Sequence, residues 1–575
     1  MTMSEKTNYE KAKELADKID EEIIAVLQSG KSFKVEAGAG SGKTYSLHGV
    51  VEWIDKHKAK EYKRNGKHVA CLTYTNAAVE VIASRIFSDS FIIPSTIHSF
   101  AWENIQNFRS SLVVAAKELD FIPSDHTVEE VKRVVYDLGI RYLEEDGTLH
   151  LFHDDIIKIF AWFLDKEKFR MLLSDKYPLI LIDEYQDTFK IITDKFLTYF
   201  IDLGKGPQFG FFGDSWQTIY ASNGACGSIQ SENIIEIKKG SNFRSQAVIV
   251  DALNQIRPNL PQISALDEND GEIIVITTNE FIGQRSTERN YKDDLPDQVL
   301  SSYINAVQEK LKKRGWGADN KVLMITHRML ARHQNYPNLF DALGDHFREQ
   351  DDIHFVFFRD RIEPLYNALV LNDTKLMFDA LGAGRRPIET KKQKKQWQAV
   401  KRGLEIARQG TIYDVLKAAY DSRLIPIQPE IERLKKLYEA EEPQEYHKTT
   451  LARFYAIQYE EVVRAINFFK VDGMYSTDHG VKGEEYDNVL LVMGRGWNLY
   501  KFEDILWKEE SQLAGNDLKA YIRNRNLFYV CCSRPRKRLA ILITVPISDQ
   551  FRNYLNRVFG TQNVIEYTRF IKRSE

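Results

Sequence analysis

The chain has 575 residues, of which 43% are hydrophobic and 28% charged, and its formal net charge is −3. This length exceeds what one hydrophobic core organises, so we expect about three or four domains. The sequence has no apolar run that approaches a membrane span, a polar N-terminus unlike a signal peptide, and four cysteines without a Cys-x-x-Cys pair. We therefore expect a cytoplasmic protein that does not bind a membrane, without a zinc site or a disulfide framework. Because the net charge is small, nucleic-acid binding would depend on local grooves and stacking side chains.

A glycine-rich loop comes first in chain order, in the stretch VEAGAGSGKTYSL from Val35 to Leu47. It follows a strand-like run and precedes a plausible helix, which is the pattern of a phosphate-binding P-loop. Loop amides can cradle phosphates, Lys43 can reach the β- and γ-phosphates, and Thr44 can bind Mg²⁺. A simple glycine turn is the alternative, and the complete Gly-Lys-Thr ending disfavours it. The predicted nucleotide-binding residues of the loop are Ala37, Gly38, Ala39, Gly40, Ser41, Gly42, Lys43 and Thr44.

Short apolar runs alternate with helix-like stretches along most of the chain, which predicts an α/β fold with mostly parallel sheets. The runs fall before about residue 215 and after about residue 270, so two such sheets are expected. Two stretches, 101–170 and 333–470, lack these runs and are predicted to be helical insertions. Within the first of them, TVEEVKRVVYDLGIRYLEE at residues 127–145 is predicted to be helical.

Two acidic residues, Asp183 and Glu184, end the apolar run in PLILIDEYQDT. A P-loop fold needs one carboxylate for Mg²⁺ and a second to orient or deprotonate the attacking water. A strand that ends in solvent-facing acids is the alternative, but the strongly apolar run before them favours catalysis. The stretch FGFFGDSWQTIY repeats the arrangement, with Gln217 placed to contact a γ-phosphate. By itself this second pattern also fits an ordinary turn.

Eight blocks follow one another between about residue 35 and about residue 540: AGAGSGKT, LTYTNAAVEVIASRI, STIHSF, LIDEYQDT, GDSWQTIY, NFRS, STDHGVKGEEYDNV and LFYVCCSRPRKRL. In this order they resemble the superfamily 1A DNA helicases of the UvrD/Rep/PcrA family. The resemblance implies two RecA-like P-loop motor domains with mainly helical insertion domains. The implied boundaries are a first motor domain at 1–105 and 171–245 with an insertion at 106–170, and a second motor domain at 246–332 and 473–575 with an insertion at 333–472.

The resemblance implies ATP and Mg²⁺ as cofactors and a role for each matching residue around the phosphates. Lys43 would bind phosphate, and Thr44 and Asp183 would bind Mg²⁺. Glu184 would act as the catalytic base, and Gln217 would sense the γ-phosphate.

The resemblance also assigns the residues that close the site from its other side. Phe243 of NFRS would stack on adenine, and Glu485 of KGEEYD would contact the ribose. Arg244 would reach the γ-phosphate from the first motor domain and Arg534 from the second. Hydrolysis would therefore depend on closure of the two domains. Without the surrounding blocks, the two arginines would be interpreted as surface residues that form salt bridges. The implied catalytic set is Lys43, Asp183, Glu184, Gln217, Arg244 and Arg534.

A groove for single-stranded DNA is implied as well, in which aromatic faces stack on bases at roughly 1–3 kcal/mol per base. Core packing is the alternative for each aromatic, and both interpretations stay open for Phe100 and for His98. His479 and Lys482 would couple the nucleotide site to the strand. The implied DNA-binding residues are Tyr74, Thr96, His98 and Tyr220.

The sequence departs from the family pattern at several places. Ser222 and Asn223 stand where many relatives have a tryptophan and an arginine, so a base-stacking platform is missing unless Trp216 replaces it. The glutamine that usually reads adenine is not evident. A basic run in the second insertion fits phosphate contacts or a solvated helix face equally well. Its members are Arg385, Arg386, Lys391, Lys392, Lys394 and Lys395.

The resemblance thus predicts a DNA translocase that moves 3′ to 5′ on single-stranded DNA and unwinds tailed duplexes, using ATP. One alternative is a DNA-stimulated ATPase that acts as sensor or loader beside a separate nuclease in anti-phage defence, as in Gabija-like helicase subunits. The missing platform favours this alternative, and so does the second insertion, which is shorter and more divergent than in the replicative and repair members of the family. A non-catalytic nucleic-acid-binding module is a further alternative, and the intact catalytic set argues against it.

Overall fold

A computed structural model of the chain describes residues 6–73, 76–84, 91–122, 126–136, 141–218, 224–267, 270–289, 291–317, 320–325, 327–344, 347, 352–382, 390–439, 451–469, 475–477, 484–495 and 500–572. Two parallel sheets covered by helices dominate these residues, which confirms the predicted α/β fold class. Within the same ranges, no helix is long and apolar enough to cross a membrane.

The first sheet comprises six parallel strands of the described chain. Its central strands are continuous apolar runs because helices cover both faces, and Leu179–Asp183 is buried along its whole length. Since the strands are parallel, the segments that follow Ser32–Ala37, Leu179–Asp183 and Gln208–Gly213 meet at one edge of the sheet. In spatial order the strands are β3 (Ile92–Thr96), β2 (Val69–Thr73), β7 (Leu179–Asp183), β8 (Gln208–Gly213), β1 (Ser32–Ala37) and β9 (Ile234–Lys239).

Helices pack on both faces of this sheet. One face is covered by the first two helices, which bury Ile23 and Leu47 against β1 and β7. On the other face, Phe160 of the first insertion shares a hydrophobic core with Ile180 of the sheet. The insertion therefore packs directly against the first α/β unit. The helices of this part are Asn8–Gln28, Lys43–Arg64, Asn76–Ala83, Ile97–Ile105, Arg109–Glu118, His153–Leu164, Glu167–Lys176 and Lys190–Phe196.

The first insertion differs from the sequence-based expectation at residues 127–145. The sequence predicts a helix there, but the described residues contain a single 3-10 turn at Val128–Glu130 and two strands, β4 (Arg133–Tyr136) and β5 (Tyr142–Leu143), of a small sheet completed by β6 (Thr148–Leu151). The prediction for this stretch is therefore wrong. The β-branched pair Val134 and Val135 favours a strand, and pairing with β6 buries Val134, which outweighs the helix-forming charged residues around it.

The second sheet also comprises six parallel strands of the described residues. Helices again cover both faces, in two cores that contain Val489 and Val322 respectively. Its strands, in spatial order, are β14 (Tyr475–Thr477), β13 (Asn320–Met324), β15 (Tyr486–Met493), β16 (Pro535–Ile543), β12 (Glu272–Thr277) and β17 (Val564–Glu566). The helices around it are Ala247–Ile256, Asp297–Lys313, Phe502–Ile505, Gly515–Cys532, Asp549–Phe559 and Tyr567–Lys572.

A short two-stranded sheet of β10 (Ser241–Asn242) and β11 (Ile263–Ser264) lies in the segment that connects the two large sheets. The second insertion is helical throughout its described residues and has a core of its own, which includes Phe358, Leu416 and Tyr459. Arg385 and Arg386 of the basic run lie outside the described residues. The domain boundaries remain predictions. The helices of this insertion and its approach are His327–His333, Pro337–Leu343, Ile353–Phe357, Glu363–Leu371, Thr374–Ala380, Lys391–Ala407, Ile412–Ser422, Pro429–Glu439 and Tyr459–Phe468.

Candidate nucleotide site

The P-loop connects β1 to the helix Lys43–Arg64 through backbone that glycine adopts most easily. Gly40 and Gly42 have φ angles of 74° and 77°. A Cβ atom at Gly40 would lie 2.7 Å from Cβ of Arg244, so the Phe243–Arg244 segment packs directly on the loop. The backbone N–H of Phe243 fixes this contact by donating to the carbonyl of Gly40 at 2.8 Å. The loop then ends at a helix N-terminus, where backbone amides favour an anion.

A single cleft around this loop collects most of the predicted nucleotide-site residues. Asp183 lies behind the cleft wall, where its side chain is buried and Oδ1 accepts a hydrogen bond from the backbone N–H of Glu184 at 3.0 Å. Ala37 is buried at the end of β1. The roles of all these residues remain predictions. The cleft is lined by Gly38, Ala39, Gly40, Ser41, Gly42, Lys43, Thr44, Glu184, Gln217, Phe243, Arg244, Glu485 and Arg534.

Opposite charges face each other on the P-loop side of the cleft. Lys43 Nζ lies 2.6 Å from Glu184 Oε1. Burial lowers the pKa of Lys43, but the charges of Glu184 and Asp183 outweigh burial and raise that pKa above its usual value. Burial and the charge of Glu184 raise the pKa of Asp183 to about 6 against the opposing charge of Lys43. The second carboxylate oxygen of Glu184 accepts from Nε2 of Gln186 at 2.6 Å, so this carboxylate is held from two sides.

Two arginines approach the cleft from its other side. Arg244 pairs through Nε with Glu485 Oε2 at 2.7 Å and donates from Nη1 to the carbonyl of Ser533 at 3.3 Å. Arg534 is 1% exposed and donates from Nε to the carbonyl of Val530 at 3.0 Å. Burial and the charge of Arg244 lower the pKa of Arg534 to about 10. Two arginine side chains that line one cleft suit an anionic ligand.

The oxygen ligands near the P-loop fit Mg²⁺ that arrives with a nucleotide. Thr44 lines the cleft, and the carboxylate of Asp183 lies behind it. In the described part of the chain, no group of three or more His, Cys, Asp or Glu side chains could hold a metal ion. Mg²⁺ is usually bound by one or two protein ligands together with substrate phosphates and water, so a larger protein cluster is not required.

The predicted DNA-binding residues are only partly described. Tyr74 and Tyr220 lie outside the described residues, and so do Ser222, Asn223, His479 and Lys482. Thr96 ends β3 and caps the following helix, because its Oγ1 accepts from the backbone N–H of Ser99 at 3.2 Å. Thr96 therefore has a local structural role, whether or not it contacts DNA.

His98 and Phe100 lie in the protein interior. His98 is 7% exposed, and its ring stacks on His153 with 3.4 Å between ring centroids. Burial and the neighbouring His153 lower the pKa of His98 to about 3, so the ring is neutral at physiological pH. Phe100 is buried and packs on Phe160 and Tyr177. In this structure, therefore, neither ring has a face available to a base.

Trp216 does not provide the base-stacking platform that the sequence suggested as a replacement. It is buried, with the guanidinium of Arg525 at 3.8 Å and that of Arg257 at 5.2 Å from the ring centroid. Tyr529 packs against its edge. Because two arginines and a tyrosine pack on the indole, the structure does not support the alternative in which Trp216 replaces the missing platform.

Sequence reasoning missed several buried residues around the cleft, foremost Glu36, Gln186 and Arg257. Glu36 is a carboxylate within the apolar run of β1, which was a usable signal because unpaired buried carboxylates are costly. Its partner Arg257 lies 221 residues away, and no local pattern marks that arginine.

Several known proteins have sequences similar to this chain. A family model described as an AAA domain matches residues 20–223. Gabija protein GajB of Bacillus cereus strain HuB5-5 is 22% identical, over 94% of this chain and 96% of its own length. The mitochondrial ATP-dependent DNA helicase HMI1 of Saccharomyces cerevisiae is 24% identical over 42% of this chain and 40% of its own length. A probable DNA helicase II homolog of Mycoplasma capricolum is 24% identical over 55% of this chain and 49% of its own length.

The predicted resemblance to UvrD-like helicases, including the compact Gabija type, is confirmed by these similarities. They support a nucleotide-using, helicase-related role for the chain. The matched part at residues 20–223 contains the P-loop, Glu184 and Gln217, which lie together in the cleft.

Proposed function

We propose that the chain is an ATP- and Mg²⁺-dependent DNA translocase that moves 3′ to 5′ on single-stranded DNA and unwinds duplexes ahead of it. One observation carries the proposal: a single cleft joins the P-loop and Glu184 of the first α/β unit to Arg534 of the second. Such an arrangement suits phosphoryl transfer, in which charge develops on several phosphate oxygens at once.

In the proposed hydrolysis step, the amides of the P-loop and Lys43 hold the β- and γ-phosphates. Glu184 orients the attacking water and accepts its proton. Arg244 and Arg534 neutralise the charge that develops on the γ-phosphate. Thr44 and Asp183 would hold Mg²⁺, which would supply additional charge neutralisation when bound.

Movement would follow because the phosphate ligands come from both α/β units. Lys43 and Glu184 belong to the first, and Arg534 to the second. The complete set of ligands reaches the γ-phosphate only when the units are closed, and phosphate loss would release them. Bases stacked in the groove implied by Tyr74 and Tyr220 would shift by one step in each cycle.

A second candidate function is a DNA-stimulated ATPase that senses or loads DNA for a separate nuclease in anti-phage defence. Two observations favour it. Similarity to Gabija protein GajB covers nearly the whole chain. In addition, Trp216 is buried and two guanidinium groups pack on its ring, so the described residues provide no stacking platform at that position. Either function would place the protein in the cytoplasm with single-stranded or tailed duplex DNA as its partner.

The deciding experiment measures ATP hydrolysis by the purified chain with and without single-stranded DNA, and unwinding of duplexes with a 3′ or a 5′ tail. Glu184→Gln tests the catalytic base. Glu61→Gln, an exposed carboxylate on the P-loop helix that pairs with Lys58, is the matched control. Stimulated hydrolysis with unwinding from the 3′ tail alone supports the translocase. Stimulated hydrolysis without strand separation supports the sensor or loader, and absence of stimulation refutes both.

A further inference from the structure

Arg257 connects the two α/β units through buried ion pairs. It follows the helix Ala247–Ile256, which packs in the core of the second sheet. Its side chain is 3% exposed, and its guanidinium contacts two carboxylates of the first unit. Nη2 lies 2.7 Å from Oε1 of Glu36, and Nη1 lies 2.5 Å from Oδ1 of Asp214. Both carboxylates stand at the ends of strands that lead into the nucleotide cleft.

The two carboxylates are fully engaged in this buried cluster. Glu36 also accepts from the hydroxyl of Tyr185 at 2.5 Å and from the backbone N–H of Ser215 at 3.0 Å. Burial lowers the pKa of Arg257, but Asp214, Tyr529 and Glu36 outweigh it and raise that pKa above the usual value. A buried charge cluster of this kind adds little net stability, yet loss of one partner leaves the others uncompensated. The relative positions of the charged groups in this cluster are therefore tightly constrained.

Hydrogen bonds lead from this cluster to the predicted sensor and base. Oδ2 of Asp214 accepts from Nε2 of Gln217 at 2.8 Å. The backbone N–H of Asp214 donates to Oε1 of Gln186 at 3.1 Å, and Nε2 of Gln186 donates to Glu184 at 2.6 Å. In this hydrogen-bond network, one residue, Asp214, thus lies between Arg257 and Gln217. Two residues, Asp214 and Gln186, lie between Arg257 and Glu184.

The same cluster reaches the P-loop and contacts the turn at residues 215–218, the Gln217 turn. The hydroxyl of Tyr529 accepts from the backbone N–H of Ala39 at 3.1 Å and from Nη1 of Arg257 at 3.4 Å. On the turn, Nδ2 of Asn526 donates to the carbonyl of Thr218 at 3.2 Å. Tyr529 and Asn526 lie on the helix Gly515–Cys532, which leads directly to Arg534.

We propose that Arg257 is a positioning residue that holds the Gln217 turn in register with the P-loop and transmits relative movement of the two α/β units to Gln217 and Glu184. The effect on hydrolysis rests on the proposed function. The effect on the Gln217 turn does not, because it follows from the buried contacts alone.

The test compares Arg257→Met and Arg257→Lys with Arg408→Met. Arg408 is a matched control because it also pairs with a buried carboxylate, Glu363, at 2.9 and 2.7 Å, but within the second insertion. We expect Arg257→Met to lower kcat about 100-fold while KM for ATP changes less than about threefold, since displaced catalytic groups lose rate more than binding. Arg257→Lys keeps the charge but cannot span both carboxylates, so an intermediate loss of about tenfold is expected.

Hydrogen exchange gives a readout that does not depend on activity. Amides of residues 215–218 and of the P-loop at 37–44 should exchange faster in Arg257→Met and remain unchanged in Arg408→Met. If the wild-type protein shows no DNA-stimulated hydrolysis, the proposed function fails, and this exchange pattern still decides the role of Arg257.

A triple variant distinguishes loss of positioning from simple unfolding. Glu36→Gln/Asp214→Asn/Arg257→Met replaces the buried charges together, so it leaves no single buried charge unpaired. It should keep a melting temperature near that of the wild type but show the same loss of kcat as Arg257→Met. The inference is overturned if this triple variant hydrolyses ATP at the wild-type rate, or if Arg257→Met only lowers the melting temperature, as Arg408→Met does, with kcat and exchange unchanged.

Discussion

The ammonium nitrogen of Lys43 lies 2.6 Å from a carboxylate oxygen of Glu184. The side chain predicted to bind phosphate and the side chain predicted to activate water therefore neutralise each other. A γ-phosphate that binds Lys43 must compete with Glu184 for it. Nucleotide binding and release of the base are thus linked through one ion pair.

Replacement of Glu184 by glutamine should separate binding from chemistry. We expect hydrolysis to fall by roughly 10²–10⁴-fold, the usual contribution of a general base. ATP affinity should rise at the same time, because a neutral amide competes less well for Lys43. Steady-state hydrolysis and titration with a fluorescent ATP analogue measure the two effects, with Glu61→Gln as the control. Weaker ATP binding in Glu184→Gln would contradict the competition.

Arg534→Lys should affect hydrolysis far more than ATP binding. Lysine keeps the charge but loses the planar fork that can contact two phosphate oxygens. We expect kcat to fall about 10³-fold with little change in nucleotide affinity, as for other arginine fingers. Arg538→Lys is the control, because Arg538 lies on the strand that follows Arg534, β16, but donates to the carbonyl of Gly315 at 2.7 Å and does not line the cleft. Wild-type kcat in Arg534→Lys would remove this residue from the catalytic set.

Phe243 should stack on the adenine of the bound nucleotide. Its side chain lines the cleft and is 38% exposed, which is unusual for a phenylalanine that only packs. Phe243→Ala should raise KM for ATP about tenfold without changing kcat, since aromatic stacking on a base contributes roughly 1–3 kcal/mol. Phe243→Tyr retains the ring and should behave as the wild type. Equal KM values in all three proteins would argue against stacking.

The basic helix of the second insertion provides a test of duplex binding. Lys391, Lys392, Lys394 and Lys395 lie exposed in its first turns, where the helix dipole disfavours cations. If they contact phosphates, replacing all four by glutamine should reduce the slope of log Kobs against log salt concentration by as much as about 3.6, at about 0.9 per phosphate contact. The same change at Lys310, Lys312 and Lys313 provides the control. An unchanged slope would indicate that these lysines form a solvated helix face that does not contact phosphates.

Glu503 should make stability depend on pH. Its side chain is 6% exposed, and Arg495 Nη2 lies 2.9 Å from its Oε1. Burial nevertheless raises the pKa of Glu503 to about 7 from its ordinary value of 4.5. Between these values the folded state binds more protons than the unfolded state, so the free energy of unfolding falls as pH rises.

Glu503→Gln removes this dependence. Its stability relative to the wild type should increase between pH 5 and pH 7 by about 1–3 kcal/mol, at up to 1.36 kcal/mol per pH unit. Urea unfolding across this range measures the difference. Glu509→Gln, an exposed neighbour, should show a constant difference, and a constant difference for Glu503→Gln as well would mean that the carboxylate is ionised throughout.

Much of the fold and of the nucleotide site was predictable because the signals are local. A P-loop needs glycine at positions such as Gly40 and Gly42 and a lysine directly after them, and all of these lie within a few residues. Acidic residues after a buried strand are equally visible. Parallel strands then bring such segments to one edge of the sheet without further information.

Predictions failed where packing overrides local preference. The stretch at 127–145 has enough charged and helix-forming residues to suggest a helix, but pairing of β4 with β6 buries Val134 in a strand. Trp216 was considered as an exposed platform, and the arginines that cover it come from distant segments. His98 became a core histidine because His153 of the insertion stacks on it.

The amino-acid sequence by itself determined the α/β class, the order of the helicase-like blocks and the glycine-rich loop between a strand and a helix, since each depends on residues close together in the chain. Only the tertiary structure decided that Arg257 meets Glu36, 221 residues away, and Asp214, 43 residues away. The reason is physical. A buried charge is tolerated only where several distant groups converge on it, and that convergence is a property of the packed fold.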